Sequence, residues 1–277
     1  MEVRWKVLLG AVAVGAVVTA VLLLRAPEPA KPAAPPAAAA ETPAAAARRA
    51  SAPSSAAASL ASADQRLPGT WVDQTPPDAL PNGPLVIGLH GRGDSPEHFS
   101  AIAARLGPRF AWRFLKAPLA WRENTQWFRN DASDGGRQDV LDTLALIDAH
   151  VRQARGRKIA IVGFSQGCMV AAHYAAAYPS SIAAVICAGG ALVFPPAEVP
   201  AGPKPAMVFV HGTEDPVVPL SRAREARQQL ENRGLPSEFV EHAEGHSLPE
   251  AEMPRLREWL ERQLGPNVAP RPNAPGR

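Results

Sequence analysis

The chain has 277 residues, with 29 Lys+Arg against 26 Asp+Glu, 46% apolar residues, 30 prolines and two cysteines. That length is enough for one large domain or two small ones with a real core. Two cysteines exclude a disulfide-stapled mini-protein and a C-x-x-C zinc or redox scaffold.

From the amino end, residues 7 to 24 (Val-Leu-Leu-Gly-Ala-Val-Ala-Val-Gly-Ala-Val-Val-Thr-Ala-Val-Leu-Leu-Leu) carry no charge. As a helix they would span about 27 Å, close to a bilayer's hydrocarbon thickness. Arg4 and Lys6 precede the run as in an export signal, Arg25 follows it directly, and no small-x-small cleavage site closes it. Residues 1–25 therefore read as an N-terminal hydrophobic anchor, with a cleaved signal as the alternative. The rest of the chain is expected outside the cytoplasm. Arg25 and Lys31 balance Arg4 and Lys6, so the positive-inside count leaves orientation open.

Residues 26–66 hold 19 Ala, 7 Pro and 5 Ser in 41 positions. So few large apolar groups cannot offset the entropy of ordering, and the stretch reads as a disordered linker. A Pro-rich tail at 265–277 reads the same way, leaving one domain at 67–264. The basic balance belongs to the flanks. Residues 1–66 carry 7 Lys+Arg and 4 Asp+Glu and the tail carries two Arg, whereas 67–264 holds 20 basic and 22 acidic residues. A near-neutral domain gives no reason to expect nucleic acid as a partner.

Within the domain, β-rich apolar runs alternate with helical patterns. Strands are predicted at Leu85–His90, Ala111–Leu115, Lys158–Val162, Ala183–Cys187, Ala206–Val210 and Glu238–Glu241. Helices are predicted near 96–106, 137–154, 166–178, 220–233 and 250–263. In the second of these Val140, Leu144, Ile147 and Val151 mark one helical face. Strands separated by helices imply an α/β fold: a mostly parallel central sheet joined by right-handed crossovers, with helices on both faces. In such sheets ligands bind beyond the carboxyl ends of the strands.

One strand end carries chemistry. Lys158-Ile-Ala-Ile-Val162 runs into Gly163-Phe-Ser-Gln-Gly167 and then a helical stretch. A G-x-S-x-G between strand and helix lifts the serine oxygen above the sheet in a strained turn, the glycines removing side chains that would collide. Ser165 is the candidate nucleophile. In this architecture the acid and then the histidine follow in sequence. Asp215, in His211-Gly-Thr-Glu-Asp-Pro216, lies beyond a strand end, with Glu214 its rival. His246, in Glu244-Gly-His-Ser-Leu248, follows the last strand, with His242 its runner-up. His150 and His173 fall on helices and read as packing or surface residues. The loop His90-Gly-Arg-Gly-Asp94 precedes a good cap pair, Ser95 with Pro96. The backbone N–H groups of Arg92 and Gln166 are the candidate oxyanion hole.

Together these blocks resemble the phospholipase/carboxylesterase family of α/β-hydrolases, which includes acyl-protein thioesterases and small bacterial carboxylesterases. The residues that carry the resemblance are Leu89-His-Gly-Arg-Gly-Asp94, Trp127-Phe128, Gly163-Phe-Ser-Gln-Gly167, His211-Gly-Thr-Glu-Asp-Pro216 and Gly245-His246. It implies an α/β-hydrolase fold, Ser165, Asp215 and His246 as a catalytic triad, and Arg92 and Gln166 as oxyanion donors. Two departures stand out. The N-terminal segment and linker are unlike the soluble cytosolic members, and Arg92 occupies a position often apolar in the thioesterases.

Trp127 and Phe128 lie in a long loop from Pro118 to Gly136 and either wall an acyl pocket or hold that loop down. Too few residues separate Ala188 from Pro205 for a lid domain, so an open site is expected. Cys168 and Cys187 read as small buried fillers rather than a disulfide pair. The leading expectation is a serine esterase or thioesterase working through an acyl-enzyme on a small-molecule ester or thioester, with no metal or organic cofactor. The alternatives are a peptidase or polysaccharide deacylase on the same scaffold, and a catalytically silent, membrane-tethered binding module.

Overall fold

A computed structural model describes residues 69–130 and 134–265. The anchor and linker expected over 1–66 lie outside the described residues, as does the tail beyond Gly265.

The strands are β1 (Trp71–Gln74), β2 (Leu85–Leu89), β3 (Ala111–Leu115), β4 (Leu119–Trp121), β5 (Asn124–Gln126), β6 (Ile159–Phe164), β7 (Ala184–Ala188), β8 (Ala206–Gly212) and β9 (Glu238–His242). The helices are α1 (Pro96–Phe99), α2 (Ala103–Leu106), α3 (Asp134–Gln153), α4 (Gln166–Ala177), α5 (Leu220–Glu231) and α6 (Met253–Leu264). Seven strands form one sheet in the order β1-β3-β2-β6-β7-β8-β9, and β4 pairs with β5 separately. Every neighbour pair in the large sheet is parallel except β1 with β3. All six expected strands are present within two residues at either end. The helix expected over 96–106 is α1 and α2 joined by a 3-10 turn at Ser100–Ile102, with the Ser95 hydroxyl accepting from the His98 amide as its cap.

Alternation along the strands divides the core between two layers. Leu85, Ile87 and Leu89 of β2, Ile159 and Ile161 of β6, and Val185 and Cys187 of β7 face α3, α4 and α5. Their neighbours Val86, Ala160, Val162, Ala184 and Ile186 pack with Ile102, Leu106, Leu256, Trp259 and Leu260, on the side of α1, α2 and α6. The predicted α3 face, Val140, Leu144, Ile147 and Val151, is buried in the first layer. Because both faces are covered, β2 and β7 have no exposed residue, as parallel strands should. Residues 189–205 contain no helix or strand, so no lid domain stands over the sheet.

Cys168 on α4 and Cys187 on β7 form a disulfide, with Cα atoms 4.5 Å apart. This corrects the expectation of two unpaired fillers. Both residues are buried in the first layer, as expected, but α4 crosses β7 closely enough for the sulfurs to bond.

Candidate active site

β6 sits mid-sheet, and its carboxyl end delivers Ser165 into a sharp turn. Ser165 has φ 53° and ψ −118°, a backbone strained for any residue with a Cβ. Its amide donates to Ala188 O at 2.8 Å, and its own carbonyl accepts from Met169 N at 3.1 Å, which ties the turn to β7 and to the first turn of α4. The flanking glycines are steric necessities. A Cβ on Gly163 would lie 2.3 Å from the Gly167 carbonyl oxygen, and one on Gly167 would lie 2.0 Å from the Leu89 carbonyl oxygen. The helix after the serine can press this tightly against β2 only without side chains at those positions.

The structure brings Ser165, His246 and Asp215 into one hydrogen-bonded line. His246 Nε2 is 2.9 Å from Ser165 Oγ, and His246 Nδ1 is 2.7 Å from Asp215 Oδ2. An Nδ1–H that donates to the carboxylate leaves Nε2 with its lone pair toward the hydroxyl. Asp215 Oδ1 accepts from the Val217 and Val218 amides at 2.8 and 2.9 Å. Burial pushes the Asp215 carboxyl up, but the hydrogen bonds from His246, Val218 and Val217 outweigh it and hold the group below the usual carboxylate range. Glu214 is exposed, whereas the Asp215 side chain is fully buried. His242 ends β9, and neither of its ring nitrogens has a partner among the described residues.

Two histidines outside this line position its parts. The His90 ring, pushed toward the neutral form by burial, has Nδ1 2.7 Å from Gly91 O and accepts from Ala117 N at Nε2, 3.2 Å. It thereby holds the loop that carries Arg92. His211 is fully buried, with Nε2 2.8 Å from Val218 O and 3.5 Å from Asp215 Oδ2, behind the acid loop. Neither role is legible in the sequence. The only local signal was a His-Gly pair at the end of each strand.

A cleft of about 420 Å³ opens over Ser165, lined on the apolar side by Met169, Leu192, Val193 and Val218. Arg92, Gln166 and Phe128 line it as well. Neither the Arg92 nor the Gln166 amide hydrogen-bonds to another described residue, so both can donate to an oxygen in the cleft. Trp127 does not line the cleft. It is fully buried, and its indole N–H donates to His90 O at 2.7 Å, so of the two readings for that loop it holds the loop down. The Gln166 side chain does the same from the other end. Its Oε1 accepts from the Trp127 amide at 3.0 Å, while its Nε2 donates to Phe128 O at 2.9 Å and to Asn130 Oδ1 at 3.0 Å. That side-chain role was invisible in the sequence, because it depends on a partner segment nearly forty residues away.

A family model for Phospholipase/Carboxylesterase matches residues 76–264. NocK of Nocardia uniformis subsp. tsuyamanensis, an esterase by name, is 34% identical over 151 residues, covering 51% of this chain and 43% of its own. The chain thus spans less than half the length of that relative. Acyl-protein thioesterase 1 of Schizosaccharomyces pombe is 29% identical over 155 residues, 48% of this chain and 69% of its own. Among solved structures, acyl-protein thioesterase 2 of Zea mays aligns with a TM-score of 0.59 at 21% identity, over 71% of this chain and 100% of that one, a likeness of fold. With the family model matched across most of the domain, the chain belongs to the phospholipase/carboxylesterase family of α/β-hydrolases.

Proposed function

We propose that the protein hydrolyses carboxylic esters or thioesters of small molecules through an acyl-enzyme. The observation that carries this is the unbroken Ser165–His246–Asp215 line, whose serine lines an open cleft. Ser165 Oγ attacks the substrate carbonyl carbon as His246 Nε2 takes the hydroxyl proton. The carbonyl oxygen, now an anion, receives the Arg92 and Gln166 amides. Collapse of this intermediate expels the alcohol or thiol, which leaves with the proton from His246. Water then repeats the sequence on the acyl-serine and releases the acid. Asp215 stays ionised throughout, holding the imidazole orientation and favouring the imidazolium. Its depressed pKa suits that duty.

Labelling with a fluorophosphonate probe tests the mechanism. The protein is expected to label at Ser165, and Ser165→Ala to lose labelling together with turnover of p-nitrophenyl esters, by about 10³-fold or more. Labelling that survives in Ser165→Ala would refute the assignment.

The domain is further proposed to work outside the cytoplasm on an N-terminal membrane anchor. Support comes from the uncharged run at residues 7–24 and from the Cys168–Cys187 disulfide, since such bonds persist in oxidising compartments. Alkaline phosphatase fused after residue 66 is expected to be active. An inactive fusion would sink the export reading.

A further inference from the structure

The charged residues that line the cleft share one sign. Its described lining includes Arg92, Arg129 and Arg222 but no aspartate or glutamate. The domain holds 20 basic and 22 acidic residues over 67–264, so this is a local arrangement rather than the average. Arg129 is already paired, forking onto Asp139 at 2.8 and 2.9 Å. The other two arginines have no carboxylate partner among the described residues. Arg222, in the first turn of α5, donates from Nη2 to Leu192 O at 3.3 Å, which uses one of its five N–H donors and tethers the guanidinium tip beside the cleft. Arg92 lies 5.2 Å from the Trp121 ring centroid, a contact that occupies the guanidinium face and leaves its edge donors open. These residues follow β2 and β8, which lie on opposite sides of β6 in the sheet. Ser165 therefore sits between the loop that brings Arg92 and the first turn of α5 that brings Arg222, beside the apolar wall of Met169, Leu192 and Val193. A cleft with one sign of charge and low-dielectric walls focuses its field on whatever enters.

We infer that the cleft selects small esters that bear an anionic group, a carboxylate or a phosphate, close to the scissile carbonyl. Arg222 receives the anion and Arg92 reinforces it. This inference rests on the ester-cleaving reading and narrows its substrate class. Both cations are specificity determinants, distinct from the groups that move the proton.

The test compares matched pairs at low ionic strength. In one pair, monoethyl glutarate is set against ethyl pentanoate, which has the same acyl length without the charge. In the other, 1-butanoylglycerol 3-phosphate is set against 1-butanoylglycerol. At least one charged member is expected to exceed its neutral partner in kcat/KM by about fivefold or more, and the gain should shrink as NaCl is raised to 0.5 M. The pair with the larger ratio tells whether carboxylate or phosphate is preferred. Arg222→Gln should bring that ratio toward one and Arg222→Glu below one, with rates normalised to active sites titrated by a neutral fluorophosphonate. If the variants do not fold, glutarate and glycerol 3-phosphate as competitive inhibitors of the wild type give the same readout, expected to weaken with salt. Turnover of the neutral esters with ratios of one or less, or a ratio unmoved in Arg222→Gln, overturns this inference alone. Failure to cleave any ester or thioester overturns the hydrolase reading with it.

Discussion

The turn from Gly163 to Gly167 and the loop from Ala117 to Asn130 both reach the cleft, yet they are held by different kinds of force. The turn is fixed by exclusion. Backbone oxygens of Gly167 and Leu89 stand where a Cβ would be, and the strained Ser165 has nowhere to relax. The loop is fixed by a handful of long-range hydrogen bonds, from the Trp127 indole to His90 O, from Ala117 N to His90, from the Trp127 amide to Gln166 Oε1, and from Gln166 Nε2 to Phe128 O and Asn130 Oδ1. Repulsion over 2 Å has no graded response, whereas a hydrogen-bonded loop can lose one contact and keep the rest. The turn should therefore fail all at once and the loop by degrees.

Substitution at the turn should have the largest effect. Gly167→Val places atoms within the Leu89 carbonyl, so either α4 or β2 must move and the core between them opens. The loss is expected to exceed about 4 kcal/mol, in the range of severe core overpacking combined with backbone strain. Far-UV circular dichroism during urea unfolding would report it. A variant within 1 kcal/mol of wild type would mean that the turn is not sterically locked.

Gln166→Ala attacks the loop and leaves the backbone amide of the proposed oxyanion pair in place. It strands the Trp127 amide and the Phe128 carbonyl, both buried. The expected cost is about 2–6 kcal/mol, from two unsatisfied groups at roughly 1–3 kcal/mol each. Because Phe128 lines the cleft, KM should rise more than kcat falls. The reverse split, with kcat lost and KM unchanged, would show that the side chain serves the reacting centre rather than the loop.

The same contrast explains what could be read in advance. Gly163, Ser165 and Gly167 were legible because steric exclusion permits few spellings and the spelling is local. The inner strands β2, β6, β7 and β8 were legible because burial on both faces demands apolar runs. β1 went unread, since its four residues form an antiparallel edge whose partner, β3, lies about forty residues on. β4 and β5 have three residues each, too short for any periodicity. The role of the Gln166 side chain stayed hidden, and that of Trp127 stood between two readings, because both are set by which distant segment the chain returns to, and composition carries no record of that. The cysteines illustrate it best. Their burial was apparent from position, but their pairing needed the crossing of α4 over β7.

That disulfide belongs with the turn, because Cys168 lies three residues after Ser165 and Gly190 packs against its sulfur. Closing a loop of about 20 residues should contribute roughly 3 kcal/mol. The double variant Cys168→Ala/Cys187→Ala is expected to melt at lower temperature, by at least several degrees. In the wild type, exposure to reductant should have the same effect only after unfolding, since neither sulfur reaches solvent. A melting temperature equal to wild type in the double variant would show that the bond adds nothing to the packing already there.

The smallest effect concerns the far wall of the cleft, which unlike the loop leans on a single acceptor. His173 on α4 accepts from the Val193 amide at Nε2, 3.2 Å, and so steadies the segment that supplies Leu192 and Val193 to the cleft. Burial, helped by the nearby Arg137, lowers its pKa to about 4. An unfolded histidine titrates near 6.5. Between those values the unfolded chain binds a proton that the folded chain refuses, so stability rises with pH there and is lost as pH falls. The full loss would be about 3 kcal/mol, reached below pH 4, and only about 1 kcal/mol by pH 5.7. His173→Gln, which keeps an acceptor but cannot titrate, should remove close to one proton from the pH dependence of unfolding between 6.5 and 4. Asp215, whose folded pKa is depressed, contributes in the same direction, but at lower pH, through its own carboxylate range. The His173 contribution is therefore read from the difference between the two proteins above pH 4.5. Identical slopes there would mean that His173 is protonated in the folded state and that the Val193 amide is held by something other than an imidazole lone pair.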